Sequence, residues 1–198
     1  MLEIKEQPRK ALRKELRKQR NNLSPEEQSA TAHEVANSAL SGDEFTPGDH
    51  IAIYMDADGE VGTMPLIKAL LARGKCCYLP VLVEETTTLE FRQYLPDGPM
   101  KTNFFGLLEP PASAPTIAPE SLDTVFMPLV GFDTDGNRLG MGKGYYDRTF
   151  AFLRNKASGR PLLIGLAHEC QRVERLEAAN WDVPLVGVIT GQQFYRAR

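Results

Sequence analysis

Three glycines alternate with a methionine and a lysine in the stretch "RLGMGKGYYD", which runs from Arg138 to Asp147. Glycine backbones can approach a ligand closely, and their N–H groups bind anions. Arg138 and Lys143 add positive charge, whereas Asp147 fits beside a phosphate only if a cation bridges them. Mg²⁺ makes such bridges, using one or two carboxylates and phosphate oxygens. The pattern therefore favours a phosphate site over the alternative, a tight turn with chance glycines.

The loop differs from two common nucleotide motifs. Gly144 stands where a Walker A loop has Ser or Thr after its lysine, and Tyr145 stands where the dinucleotide fingerprint has its third glycine. An apolar stretch precedes the loop, and a helical pattern follows from Tyr145 to about Asn155. Ligands of open α/β sheets bind at such places, beyond the carboxyl ends of strands. The spacing alone names no reaction.

The elements that must position this loop alternate along the chain. Apolar strand patterns occur at residues 50–55, 76–83, 89–95, 124–132, 161–167 and 185–190, and helical patterns at 8–20, 25–40 and 65–72. Ser24, Pro25 and Glu27 form a capping box that starts the second helix. Residues 96–121 carry six prolines and predict a long loop of the functional or mobile kind. We predict one three-layer α/β/α domain over residues 1–198, with a mostly parallel, Rossmann-like open sheet.

The composition limits the classes of protein to which the chain can belong. The chain has 198 residues with 42% hydrophobic and 25% charged residues, which is typical of a soluble globular protein. Its three cysteines include an adjacent pair, which favours a reducing compartment and matches no zinc site. The start lacks the apolar core of a signal peptide, and no apolar run approaches the ~20 residues of a membrane helix. We expect a cytoplasmic protein with no membrane partner.

The positive charge is concentrated at the start of the chain. The first 20 residues hold eight Lys or Arg against three Glu, although the net charge of the chain is −3. Arg9 and Arg13 share a helix face at i, i+4, with Lys10 beside them. From the residues alone, a solvated basic face is the favoured interpretation. A nucleic-acid-binding module is an alternative, but the net charge and the absence of interleaved aromatic residues argue against a nucleic-acid partner.

The segment "PLVGFDTDGNRLGMGKGYYDR", residues 128–148, resembles the signature of the 5-formyltetrahydrofolate cyclo-ligase (5,10-methenyltetrahydrofolate synthetase) family. The likeness extends to the basic first helix and the capped second helix. "IAIYMDADGEVGTMPLI" resembles the family's strand, substrate loop and helix, and "GLAHECQ" and "NWDVPL" resemble its last elements. The resemblance covers most of the chain. It implies ATP- and Mg²⁺-dependent ring closure of 5-formyltetrahydrofolate, with or without a polyglutamate tail, and we expect a monomer.

The resemblance also assigns site residues. It places Arg9, Lys10 and Arg13 on ATP phosphates, together with a nucleotide-binding segment formed by Arg138, Leu139, Gly140, Met141, Gly142, Lys143, Gly144, Tyr145 and Tyr146. It gives Arg138 and Lys143 the catalytic roles and makes Asp147 and Asp182 the Mg²⁺ ligands. Substrate contacts fall on Met55 and Glu60 and on the loop residues Met141, Gly142, Lys143, Gly144 and Tyr145. A carboxylate such as Glu60 suits the donor edge of a pterin ring.

Several assignments have structural alternatives. Glu60 is equally typical of an exposed turn, Asp182 of a capping or turn aspartate, and the two tyrosines of packing at a helix start. Met141 departs from the family pattern, in which a basic residue is common. We keep His168 out of the catalytic set as a hydrogen-bonded structural residue, and likewise the cysteine pair, which lies within a predicted strand. A relative that keeps the fold but has lost or changed the activity is a second functional hypothesis, although Glu60 and the loop are both present.

Overall fold

The computed structural model describes the backbone of residues 3–42, 46–83, 86–103, 106–154 and 159–197, and side chains from Pro8 onward. Within these ranges the α-helices are α1 Glu3–Asn21, α2 Pro25–Ser41, α3 Met64–Ala72 and α4 Tyr145–Thr149. The strands are β1 His50–Ala52, β2 Cys76–Leu82, β3 Leu89–Gln93, β4 Lys101–Thr102, β5 Leu108–Glu109, β6 Thr116–Ile117, β7 Thr124–Pro128, β8 Gly131–Phe132, β9 Arg138–Leu139, β10 Leu162–Leu166, β11 Gly187–Ile189 and β12 Phe194–Arg196. Among the residues described, no helix has both the length and the apolar character to cross a membrane.

One eight-stranded sheet organises the molecule, in the order β12-β11-β10-β7-β1-β2-β3-β6. The five central strands, from β11 to β2, pair in parallel. The outer strands β12, β3 and β6 pair antiparallel. The predicted α/β class with a mostly parallel sheet is confirmed. The extent of the domain, residues 1–198, stays a prediction.

The apolar runs are continuous because both faces of the sheet are covered. Ile51 and Phe126 enter one core cluster with residues of α2 and α3. Their chain neighbours Ala52 and Val125 enter a second cluster on the opposite face. Successive side chains of a strand point to opposite faces, so a strand buried on both sides needs apolar residues at every position.

The second face is covered by short elements. It receives α4, the 3₁₀ turn Ala151–Leu153 and residues of the β8–β9 hairpin. The first helix packs beside this hairpin, where Leu16 joins Val130, Leu139 and Leu176 in a small third cluster. The glycine loop therefore emerges from a two-stranded hairpin inserted between β7 and α4, and not from a strand of the main sheet.

The capping box at Ser24 and Glu27 is confirmed, but several element boundaries differ from prediction. Helix α1 begins at Glu3, so Pro8 lies inside it and removes one hydrogen bond close to the amino end. Helix α4 ends at Thr149, where a 3₁₀ turn takes over; Asn155, its predicted end, lies outside the described residues. The proline-rich stretch 96–121 contains β4, β5 and β6. The antiparallel edge strand β12 carries no clear sequence signal.

Candidate active site

A cavity of about 670 Å³ opens at the carboxyl ends of the parallel strands. Its floor comes from Tyr54 just after β1, from Leu79 and Pro80 of β2, and from Pro128 at the end of β7. Its walls come from α1, the 56–60 turn, the glycine loop and the segment around Trp181. This is the place where open α/β sheets bind ligands.

Most of the residues predicted for the site meet in this cavity. Its lining includes Arg9, Arg13, Met55, Glu60, Arg138, Gly140, Met141, Gly142, Lys143, Gly144, Tyr145, Tyr146, Asp147 and Asp182. Two predicted residues stand apart. Lys10 is exposed and does not line the cavity. Leu139 is 0% exposed, because its side chain fills the cluster beneath α1.

The glycine loop contacts helix α1 directly. Arg13 Nε donates to the carbonyl oxygen of Gly140 at 2.9 Å. Gly142 and Gly144 adopt φ of 89° and 67°, a left-handed backbone that favours glycine. A Cβ on Gly142 would stand 3.3 Å from the Arg13 guanidinium. The interpretation of the basic helix as a solvated face is therefore wrong at Arg13, because this side chain is half-buried against the loop.

Positive charge on this side of the cavity comes from side chains more than from a helix dipole. Arg9, Arg13, Arg17 and Lys143 all line the cavity. Helix α4 spans only five residues, so its dipole adds little to the anion-binding potential. The cluster suits a polyanion such as a nucleotide phosphate chain.

Two acidic residues are brought together by a network around Arg138. The Arg138 guanidinium is buried, and it donates to Asp147 and to the carbonyl oxygen of Val183. Asp147 Oδ1 also accepts from the Val183 N–H at 3.1 Å. Because Val183 follows Asp182, this network places the carboxylates of Asp147 and Asp182 on one wall of the cavity.

Asp182 has its own partners. Its Oδ2 accepts from the Ala179 N–H at 2.9 Å and lies 3.6 Å from Arg9 Nη2. The turn-aspartate interpretation is therefore correct as local structure, and it does not remove Asp182 from the cavity. Among the described residues, no three His, Cys, Asp or Glu side chains form a metal cluster. Two carboxylates beside a cationic pocket nevertheless fit Mg²⁺, which takes its remaining ligands from water and phosphate.

The opposite end of the cavity holds Glu60 and Met55. The Glu60 side chain is 16% exposed, and its Oε2 accepts from the Ala57 N–H at 3.2 Å. Burial raises the pKa of Glu60 to about 7, and the nearby Arg20 guanidinium partly offsets this effect. The exposed-turn interpretation of Glu60 is therefore wrong. Apolar residues, among them Leu79 and Pro80, line the same cavity.

The two tyrosines pack at the start of α4, as one interpretation predicts, whereas their contact with a ligand stays a prediction. Tyr146 stacks on Phe150 with 6.4 Å between ring centroids, and Tyr145 lies under Arg148 at 5.2 Å. Both side chains also line the cavity. Burial raises the pKa of the Tyr146 phenol, so it stays neutral at physiological pH.

Sequence reasoning missed three charged residues that line the cavity. Arg17 and Arg20 continue the face of Arg9 and Arg13 along α1, and both line the cavity with Asp58. The spacing 9, 13, 17, 20 follows the helical period and was the available signal. Asp58 carried no comparable signal, because its contacts depend on the fold.

The residues left out of the catalytic set lie elsewhere. His168 is 1% exposed and does not line the cavity, as expected for a structural residue. Its predicted hydrogen bonding is not confirmed, because neither ring nitrogen has a hydrogen-bond partner in the part of the chain that the structure describes. Burial lowers the pKa of its imidazole, which keeps the ring neutral. Cys76 and Cys77 are in β2, as predicted, and neither lines the cavity.

Two known proteins that are similar to this chain in sequence have the same name. The sequence profile of the 5-formyltetrahydrofolate cyclo-ligase family matches residues 5–191. A protein named 5-formyltetrahydrofolate cyclo-ligase from Haemophilus influenzae is 44% identical over 187 residues, which cover 93% of this chain and 98% of that protein. The protein of the same name from Escherichia coli K12 is 37% identical, over 88% of this chain and 96% of that protein.

Solved structures agree with the sequence relatives. The 5,10-methenyltetrahydrofolate synthetase of Aquifex aeolicus superimposes with a TM-score of 0.80 at 32% identity, covering 96% of this chain and 93% of that chain. The synthetase of Mycoplasma pneumoniae gives a TM-score of 0.72 at 27% identity, covering 92% and 98%. With nearly the whole chain matched by sequence and by fold, the chain belongs to the 5-formyltetrahydrofolate cyclo-ligase family of enzymes.

Proposed function

We propose that this enzyme cyclises 5-formyltetrahydrofolate to 5,10-methenyltetrahydrofolate, using ATP and Mg²⁺ and releasing ADP and phosphate. The observation that carries the proposal is the single cavity with two unlike ends. One end is formed by the glycine loop and the basic face of α1, beside the carboxylates of Asp147 and Asp182. The other end holds the half-buried carboxylate of Glu60 together with apolar lining residues. The first end suits a nucleotide, and the second suits a pterin with ring N–H and amino donors.

The chemistry explains why both ends must open into one cavity. The N5-formyl group is an amide, whose oxygen is a poor leaving group. Phosphorylation of that oxygen activates the carbon, after which the N10 amine of the same molecule attacks, the five-membered ring closes and phosphate leaves. The enzyme must hold the formyl oxygen in line with the γ-phosphate and stabilise the charge of the transferring phosphoryl group.

We assign the phosphate contacts to Arg9, Arg13, Lys143 and the backbone of residues 140–146. Arg13 and Lys143 stabilise the developing charge, because preorganised donors in a cavity need no rearrangement as the reaction proceeds. Arg138 acts from beneath this site, where it is bonded to Asp147. Lys10 and the Leu139 side chain are not part of the assignment, because neither lines the cavity.

Asp147 and Asp182 would hold Mg²⁺, which supplies charge neutralisation to the phosphate chain when bound. Asp147 keeps its orientation through the Arg138 guanidinium and the Val183 N–H. At the other end Glu60 accepts from the pterin and Met55 packs beside it. The nucleic-acid alternative loses support, because Arg13, Arg17 and Arg20 are bonded within the protein.

One assay tests the proposal. The purified protein is mixed with ATP, Mg²⁺ and 5-formyltetrahydrofolate, and the absorbance of the methenyl product is followed. We expect product only when all three are present, with ADP formed in equal amount. Omission of ATP, and replacement of Mg²⁺ by excess chelator, are the matched controls. A protein that keeps the fold but has lost the activity would give no product in the complete mixture.

A further inference from the structure

The turn that carries Glu60 is tied to the carboxyl-terminal part of α1 by a buried arginine. Arg20 is 0% exposed although it is charged. Its Nε donates to the Asp58 carbonyl oxygen at 2.8 Å, its Nη2 to Asp58 Oδ2 at 2.7 Å and its Nη1 to the Leu129 carbonyl oxygen at 3.2 Å. Burial of a charge is costly unless the group is paired and hydrogen-bonded. The buried Arg20 guanidinium therefore depends on its contacts with Asp58.

Asp58 is held by more than Arg20. Arg17 Nε contacts Asp58 Oδ2 at 2.7 Å, and Asn21 Nδ2 donates to the Asp58 carbonyl oxygen at 3.1 Å. These contacts fix a backbone with φ of 51° at Asp58, followed by 71° at Gly59. A left-handed conformation is uncommon at a non-glycine residue and persists only where the surroundings determine it.

The same guanidinium reaches Glu60. Arg20 Nη2 lies 3.8 Å from Glu60 Oε1, so a single cation stands between the carboxylates of Asp58 and Glu60. Glu60 gains a nearby positive charge that favours its acceptor form in an apolar pocket. Its orientation depends on the turn that Asp58 fixes, because only one residue separates them.

We propose that Arg20 and Asp58 form a brace that positions the Glu60 carboxylate for the folate end of the cavity. This inference rests on the proposed function, in which Glu60 accepts from the pterin. Arg20 and Asp58 are positioning residues: they act through Glu60, and the nucleotide end is built from other contacts, such as that of Arg13 with Gly140. Loss of the brace should therefore weaken the use of folate and leave the use of ATP unchanged.

A double-mutant cycle tests the brace, because residues that act through one another are not additive. We expect Asp58→Ala to raise the folate KM roughly tenfold, the loss of about one charge-assisted hydrogen bond, with the ATP KM changed by less than about twofold. Asp58→Asn should have a smaller effect, because asparagine tolerates the left-handed backbone and keeps an acceptor. In a Glu60→Gln background, Asp58→Ala should add less than about twofold.

The matched control is Asp49→Asn, which removes an exposed ion pair with Lys75 at 2.7 Å outside the cavity. Circular dichroism of each variant establishes that it is folded, and Asp58→Asn retains the test if Asp58→Ala is not. If the wild type forms no methenyl product, the proposed function fails and the brace falls with it. If the wild type is active but the effects of Asp58→Ala and Glu60→Gln on folate KM are fully multiplicative, the brace alone is overturned. The brace is also overturned if Asp58→Ala raises the ATP KM as much as the folate KM.

Discussion

The surroundings of Glu60 bring the ionisation of its carboxyl group close to neutral pH. Burial raises its pKa to about 7, from an ordinary value near 4.5. The folded protein therefore binds this proton more tightly than the unfolded chain does. Stability from the proton is fully present below about pH 4.5 and is lost as pH rises through 7. Above pH 7 the folded state holds a carboxylate that the pocket tolerates poorly unless a ligand donates to it.

This gives a prediction for the free enzyme. As pH rises from 5 to 8, the stability of Glu60→Gln should increase relative to that of the wild type, because glutamine has no charge to bury. Thermal unfolding at both pH values measures the difference in Tm. Glu120→Gln, at an exposed position, is the control and should show no pH-dependent difference. A Tm difference that is equal at pH 5 and pH 8 would show that Glu60 ionises normally.

Asp147 carries a second prediction at the same scale. Asp147→Asn should raise the Mg²⁺ concentration needed for half-maximal turnover and leave the fold intact, since an amide of the same shape still accepts from Arg138. The amide keeps an acceptor for the Val183 N–H but loses the charge that holds a cation. Asp182→Asn should act in the same direction. A Mg²⁺ titration measures both variants, with Asp97→Asn as an exposed control. A wild-type titration curve for Asp147→Asn would remove it from the metal site.

Sequence could propose these residues but could not describe their environment. Resemblance alone placed Glu60 and Asp182 in the site. Glu60 lies beside Arg20, whose partner Asp58 lies 38 positions away along the chain. The pairing of Arg138 with Asp147 was not predicted, because the resemblance placed Arg138 on the nucleotide and Asp147 on Mg²⁺. Contacts of this kind depend on tertiary structure, which local pattern does not contain.

At the scale of elements, α1 is the part of the chain that reaches both ends of the cavity. Arg9 and Arg13 face the glycine loop and Asp182, while Arg17 and Arg20 face the 56–60 turn. The helical period predicted a shared face for Arg9 and Arg13, and the same period extends to Arg17 and Arg20, which the prediction did not include. The pattern could not tell a solvated face from a buried one, because the hairpin and turn that cover it lie far along the chain.

Arg13 and Lys10 both lie in α1, but only Arg13 lines the cavity. As a phosphate contact, Arg13→Ala removes a charge-assisted hydrogen bond of roughly 1.5–3 kcal/mol. We expect the ATP KM to rise about ten- to a hundredfold, at ~1.4 kcal/mol per decade, with little change in folate KM. Lys10→Ala is the matched control on the same helix, since Lys10 is exposed and outside the cavity.

Steady-state kinetics with ATP varied at saturating folate measures both variants. Exposed single charges typically change stability by under ~0.5 kcal/mol, so Lys10→Ala should behave as the wild type. An unchanged ATP dependence in Arg13→Ala would leave the nucleotide to the glycine loop. Equal losses in the two variants would show that net charge of the helix, and not a contact at Arg13, attracts ATP.

At the scale of the whole molecule, the alternation of strand and helix patterns was sufficient to predict the parallel centre of the sheet. Strands buried on both faces are continuous apolar runs, and this signal is strong in β7 and β10. The edge strands were harder to predict from the sequence. Strands β6 and β12 have only two and three residues, and they pair because a neighbouring edge is available, not because of their own sequence.

Gly165 in β10 tests how closely the second face of this sheet is packed. A Cβ at this position would stand 2.5 Å from Leu129 Cδ2 and 3.1 Å from both Leu185 Cδ1 and Val188 Cγ2. The neighbours must shift, and overpacking of this kind typically costs about 1–3 kcal/mol. We expect Gly165→Ala to lower the free energy of unfolding by that amount, measured by urea denaturation.

Gly140→Ala adds the same methyl group where nothing lies within 4 Å of it, so its unfolding free energy should change by less than ~0.5 kcal/mol. Because Leu129 also offers its carbonyl oxygen to Arg20, displacement of this residue in Gly165→Ala should reach the 56–60 turn. Folate KM should then rise more than ATP KM in that variant. A Gly165→Ala protein as stable as the wild type would mean that the face around Leu129 has room to relax, and that the turn is not coupled to the packing of the sheet.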